Sequence, residues 1–471
     1  MNTMCNFYRW APMLVIVALT ACAEGGSSGT GLTAPSGSHT TQGSITGFGS
    51  VFVNGVEYDS KASKITLEGI AQSEDKLAVG MVVKVSGSVN ADGKTGVATA
   101  IEYMDELEGI VLLPPDLAAK TVNVMGQTVH VTAETLFAGA PGLSLSGIVK
   151  GNVIEVSGYS SGHGDIYATR MELKKVEFVA GEEVELKGVV ANLNAGAKTF
   201  MLGTLLIDYN NLDSSTSFSN DLYVEIKSTS APVNNTLVAT TIEVKSDGHK
   251  GVVGQAGETL ELEGIVTAIT SAAGFDLNGQ AIVLAPQTQF ENGTIANIVA
   301  EAKLEVAGQF DASGNIIAKA VKFREASATR LSAYVSATDP TLNAVVVLGL
   351  IVKADNLTVL KDERDSNSAV PVRYFGVKDL VVGDYVEMQI YKNESGGLVA
   401  TQLIRNDIES PGVVKLNGAI ESTATGQLTV AGVTILIPSG DSTVYKSGDK
   451  IEITGTYANN TLAASGIVIA D

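Results

Sequence analysis

Four short anchors recur in the same order six times along this chain, and that repeat limits the fold more than any single residue does. The first anchor opens a strand with glycine and an apolar pair or triplet. It stands at Gly43, Gly109, Gly188, Gly264 and Gly418, with Ala333 in the fifth copy. The second is an apolar strand interrupted by a central glycine, at Gly55, Gly126, Gly203, Gly279, Gly349 and Gly432. The third alternates apolar and polar residues, as in Val83-Lys84-Val85, Ile154-Glu155-Val156 and Leu304-Glu305-Val306. The fourth starts at an alanine and ends apolar, from Ala98, Ala168, Ala239, Ala318, Ala400 and Ala464. A period of two turns one face of each segment inward and leaves the other to water. The central glycine predicts a tight turn between two strands, or a sharp kink in one.

Each copy therefore predicts about five short strands. So few residues bury enough apolar surface only by closing into a small barrel or a tight two-layer sheet. Fifty glycines, 17% charged residues and recurrent Val, Ile and Thr favour strands over helices. The expected fold is all-β: a tandem array of six five-stranded, OB- or SH3-like barrels. Their expected bounds are 43–106, 107–180, 181–250, 257–326, 327–410 and 411–471, pictured as an extended string.

The segment ahead of the repeats reads as an address. Arg9 precedes an apolar run from Met13 to Leu19, and Gly, Ser and Thr follow. That layout predicts a secretory signal over residues 1–21, too short to span a bilayer. Its ending, Leu19-Thr20-Ala21-Cys22, resembles the lipobox of bacterial lipoproteins. The resemblance implies a mature chain that starts at Cys22 and carries lipid there. Cleavage would remove Cys5 and Trp10, so no intramolecular disulfide is available and each barrel must rest on its own core or its neighbours. Residues 22–42 read as the lipidated N-terminus and a flexible tether, about 25 Å long by random-coil scaling. Ala23, where an inner-membrane retention signal carries Asp, resembles the outer-membrane pattern. The longest later apolar run, Val345 to Val352, is too short to cross a membrane.

Ser44 to Ser60 (SITGFGSVFVNGVEYDS) and Leu77 to Gly87 (LAVGMVVKVSG) resemble the bacterial domain of unknown function 5666 family. The other copies are more diverged, and the third and fifth lack the glycine that closes the third anchor. The resemblance implies an exported, often lipid-anchored repeat protein and brings no catalytic residues.

The rest of the chain offers little chemistry. Its four histidines, His39, His130, His163 and His249, are scattered and show no metal-ligand spacing. Gly142 to Gly147 (GLSLSG) lacks the second glycine of a nucleophile elbow at the required place. Glu182-Glu183 and Asp362-Glu363 are neighbours in connections, not carboxylates facing each other across a cleft. The turns at Asn90 to Gly93 and Asp311 to Asn315 offer oxygen ligands but not the spaced EF-hand pattern. Tyr159 and Tyr167, and Tyr374, Phe375 and Tyr385 beside the fifth copy's insertion (Lys361 to Gly376), are aromatic candidates for a binding face. A net charge of −20 argues against nucleic acid as a partner. The expected function is a lipid-anchored cell-envelope scaffold or multivalent binder without catalysis or cofactor. Its expected partners are the membrane, through Cys22, and an envelope polysaccharide or protein. The alternative is a polysaccharide- or peptide-binding or processing protein with a site formed between repeats.

Overall fold

A computed structural model describes residues 39–471 except 213–216, 246–251, 325–326, 328, 365–370, 394, 409 and 470–471. The signal, Cys22, most of the expected tether and His249 lie outside the described residues.

Barrel 4 shows the plan most simply. Its strands are Thr259–Ser271, Gly274–Leu277, Gln280–Glu291, Lys303–Phe310 and Ile316–Phe323. The first pairs antiparallel with the second, and the second with the third. The third then runs parallel to the fifth, the fifth pairs antiparallel with the fourth, and the fourth returns to the first. The ring is closed, as expected for an OB-like barrel. Leu262, Phe275, Leu277, Leu304, Val306 and Ile316 fill it with almost no exposure. The same circuit closes around barrels 1, 2, 5 and 6, with the second strand of barrel 2 joined to its first by the bridge Val111 to Val124, while in barrel 3 the first and last strands are each split and the same strand order is shared between two sheets.

The anchors explain why. The central glycine of the second anchor ends a two-residue hairpin in five copies. Asn54-Gly55 and Asn278-Gly279 both take positive φ, the conformation that matches the twist of the flanking strands. The first-anchor glycine lies directly under that hairpin. A Cβ on Gly43 would fall 2.0 Å from Asn54 Oδ1, and one on Gly264 would fall 2.3 Å from the Asn278 amide. The vacancy lets each asparagine tie its turn to the first strand: Asn278 Nδ2 donates to Glu263 O, and Oδ1 accepts from Ile265 N.

The glycine closing the third anchor marks a bulge between fourth and fifth strands at Gly87, Gly158, Gly308 and Gly455. At Gly87 a Cβ would meet Val97 O at 2.1 Å. The fifth copy keeps the bulge with Ile390. In the third copy Ser228 takes this place, its hydroxyl bonds Val238 O, and the last strand is split into Thr236–Val238 and Thr241–Val244.

Two expectations need correction. The first strand of barrel 1 is His39–Phe48, so residues 39–42 belong to a sheet and not to a tether. The barrels also do not form an extended string: all six fall in one compact unit. They pair through their first strands, barrel 1 with 4, barrel 2 with 3, and barrel 5 with 6. The outward residues of a first strand alternate like any solvent face, so the pattern alone does not reveal a partner.

Candidate functional site: the seams between barrels

The chemistry of this molecule is concentrated where barrels meet. The seam of barrels 2 and 3 is antiparallel, with Leu186 opposite Leu107 and Glu185 opposite Glu108. The leucines are fully buried in one hydrophobic cluster that runs through both barrels. Two glutamates in register repel, and Lys187 answers that. Its side chain is 2% exposed, and Nζ lies 2.8 Å from Asp105 Oδ1, 2.7 Å from Glu185 and 3.2 Å from Glu68. Burial opposes its charge, but these three carboxylates hold its pKa well above the ordinary lysine value. Glu68, Asp105 and Glu185 stand close enough to share one ion, and the ammonium of Lys187 fills that role. Barrels 5 and 6 likewise share one apolar cluster, with Leu331 opposite Leu416.

The seam of barrels 1 and 4 is parallel, pairing residues 39–42 with 259–262, and it is polar. Their apolar clusters remain separate. Between them, Thr41 bonds the Tyr58 hydroxyl at 2.7 Å, and Glu263 accepts from Ser44 N at 3.1 Å. Lys303 reaches Glu263 at 3.2 Å and Glu134 of barrel 2 at 3.3 Å, while Arg324 pairs with Glu305. Burial alone would raise Glu263, but Lys303 and Arg324 outweigh it and bring its pKa down to about 2. Burial pushes Glu305 up to about 8 despite Arg324. His39 is buried 3.8 Å from Glu261, and burial lowers it to about 4.

The fifth copy's insertion also joins barrels. Asp362, Arg364 and Arg405 form an ion cluster within barrel 5, with Arg405 also 3.2 Å from Asp384. From the insertion's far end Arg373 stacks over Phe48 of barrel 1 at 4.0 Å and donates to Leu77 O at 2.9 Å. Tyr374 donates to Glu74. Phe375 is core.

The structure does not bring the other sequence candidates together. His130 stacks on Tyr167 at 4.6 Å and bonds Asp165, while Tyr167 reaches Glu301 of barrel 4 at 3.1 Å. Tyr159 is buried against Val82 and Ile265, between barrels 2, 1 and 4. These tyrosines serve the seams. Asp92 and Asp311 accept hydrogen bonds from their own turns, and those donors lower both carboxyls. Glu182 and Glu183 pair with Lys175 and Lys227. Ser144 and Ser146 bond each other on the surface. Sequence reasoning missed Lys187, Glu263, Lys303 and Arg324, whose only signal was a charged residue at an ordinary outward position.

Five segments, 42–102, 116–172, 263–322, 333–403 and 417–468, match the family model described as a domain of unknown function, DUF5666. The chain belongs to this family. No curated protein matches it. Barrel 3 lies outside the matched segments yet keeps the DUF5666 strand order. Ser228, the split last strand and a hairpin with glycine first in the turn (Gly203-Thr204) are where it departs from its siblings.

Proposed function

We propose that this protein is a lipid-anchored cell-envelope scaffold, held at the outer membrane through Cys22, that presents six DUF5666 barrels for non-catalytic, multivalent attachment to an envelope polysaccharide or protein. The observation that supports this reading is the use of buried charge. Lys187 of barrel 3 reaches Asp105 and Glu68 of barrel 1, Glu263 of barrel 4 accepts from Ser44 of barrel 1, and Lys303 of barrel 4 pairs with Glu134 of barrel 2. Rigid placement of repeated modules lets weak contacts add up without the ordering cost of a floppy chain. The acid excess suits a neutral or basic envelope component and disfavours nucleic acid.

Two measurements test it together. Cys22→Ser should release the protein from membranes or leave an uncleaved precursor, with loss of the acyl mass. Deleting barrels 5 and 6 as a pair, because they share one core, should weaken attachment to isolated envelopes by a graded amount. An unmodified mature N-terminus other than Cys22 would overturn the anchor. All-or-none loss of an activity from one surface substitution, with folding intact, would overturn the scaffold.

A further inference from the structure

Barrels 1, 2, 4 and 5 line a partly open cavity of about 80 Å³ beside the polar seam. It holds room for several waters or for one small organic molecule. Its walls carry three cations, Lys303, Lys322 and Arg324, and three acids, Glu134, Glu263 and Asp355. Lys303 and Arg324 are engaged by Glu263, Glu134 and Glu305, but Lys322 has no carboxylate at ion-pair distance among the described residues.

Two further groups on this wall are incomplete, and both are donors. Gln402 is 3% exposed, and its Nε2 has no acceptor among the described residues, although its Oε1 accepts from Gln389 at 3.0 Å. Arg324 Nε is likewise buried without an acceptor at hydrogen-bond distance. No lining residue leaves a buried acceptor unmatched among the described residues. Buried donors without acceptors are costly and rare, so the imbalance has chemical content. A water accepts from two donors at most and must place its own two hydrogens on the lining carboxylates. An oxyanion supplies acceptors alone.

The apolar part of the lining selects the kind of oxyanion. Phe323, Leu357 and Val359 form it and favour a carbon skeleton. The three acids cancel the three cations, so a singly charged group fits better than a phosphate dianion. We infer that the junction of barrels 1, 2, 4 and 5 is a binding site for a small monocarboxylate. Its carboxylate would face Lys322, Arg324 and Gln402, and its carbon chain would face Phe323 and Val359. The site exists only when four barrels are assembled, so the ligand acts as a lock on the scaffold. The inference is independent of the lipid anchor.

The test uses the full chain and propionate as probe, with inorganic phosphate and ethylammonium as controls, by calorimetric titration at neutral pH. Propionate should bind saturably at one site and raise the melting temperature, while neither control does. Lys322→Met and Gln402→Met should each weaken propionate about tenfold or more, the value of a charge-assisted contact. In methyl-labelled wild-type protein the propionate methyl should show nuclear Overhauser contacts to Val359 and Leu357, a readout that no variant's folding affects. Absence of saturable binding, equal or tighter binding of phosphate, wild-type affinity in either variant, or no contact to Val359 and Leu357 would each overturn the inference.

Discussion

The seams of barrels 2·3 and 1·4 join first strands in opposite ways. The antiparallel 2·3 seam sets leucine against leucine and merges two cores into one. The parallel 1·4 seam sets His39 against Thr259 and Thr41 against Glu261, and leaves two cores apart with charge between them. One strand type thus makes two kinds of joint. An apolar joint draws its strength from burial and is insensitive to pH. A polar joint must satisfy every buried group, and its stability follows their protonation. Beside the 2·3 seam, where Glu185 also faces Glu108, Lys187 of barrel 3 reaches Glu68 and Asp105 of barrel 1, and this ion cluster gives the largest predicted effect.

Lys187→Met leaves the buried Asp105 and the part-exposed Glu68 without their cation. Removing one partner of a buried ion cluster costs about 3–5 kcal/mol, because the remaining charge is uncompensated. Urea unfolding should show that loss at pH 7. The loss should shrink as the pH falls, since the stranded carboxylates then take up protons in the folded protein. A variant within about 0.5 kcal/mol of wild type, the range of ordinary surface substitutions, would show that the ammonium is not what ties barrel 3 to Glu68 and Asp105 of barrel 1.

The barrel itself was legible in the sequence because its demands are local. Gly43 and Gly264 make room for Asn54 and Asn278, and the bulge glycines make room for a carbonyl of the next strand. These are steric requirements that repeat with the unit. The joints were not legible, because they depend on which barrel meets which. Glu263 and Lys187 occupy outward positions that alternation assigns to solvent, and nothing local says that a second strand will cover them. The polar HTTQ segment from His39 to Gln42 reads as tether because it lacks an apolar face, yet it pairs with Lys84 to Gly87 of its own barrel on one side and with residues 259–262 of barrel 4 on the other. The insertion of the fifth copy was legible as a departure and as an interaction surface, but its contact, Phe48 and Leu77 of barrel 1, lies about 300 residues away in sequence.

The 1·4 seam should reveal itself by pH. Glu305 has its pKa raised from 4.5 to about 8 in the folded protein. Between these values the native state holds more protons than the unfolded one, so this group's contribution falls as pH rises. His39 is lowered from 6.5 to about 4. Between those values the unfolded state holds more protons, so its contribution rises with pH. Above pH 6.5 His39 no longer changes, while Glu305 and Glu106, which burial raises to about 7, still lose protons, and stability should decline toward pH 8. Glu305→Gln copies the protonated acid and should remove this group's share of that decline, worth of the order of 2 kcal/mol. Denaturant melts at pH 6.5 and 8.5 give the comparison. An equal decline in the variant would move the titrating group elsewhere.

The smallest effect belongs to the 5·6 seam and isolates what holds an apolar joint. Arg330 sits on the first strand of barrel 5, opposite Asn417 of barrel 6, and pairs with Glu387 of its own barrel. Its side chain is 54% exposed, so water screens the pair and the side chain gives up entropy to form it. The next residue, Leu331, is 1% exposed and faces Leu416, also 1% exposed. If burial is what joins these barrels, Arg330→Ala should cost about 0–1 kcal/mol and its effect should vanish in high salt. Leu416→Ala in the same register should cost several times more, about 2–5 kcal/mol, through the lost transfer energy and the void left behind. The two variants differ by one register position on one joint, so a chemical melt of each reads the apolar and ionic parts separately. A loss at Arg330 equal to that at Leu416 would show that burial of the leucine pair is not what sets this joint apart and would erase its contrast with the seam of barrels 1 and 4.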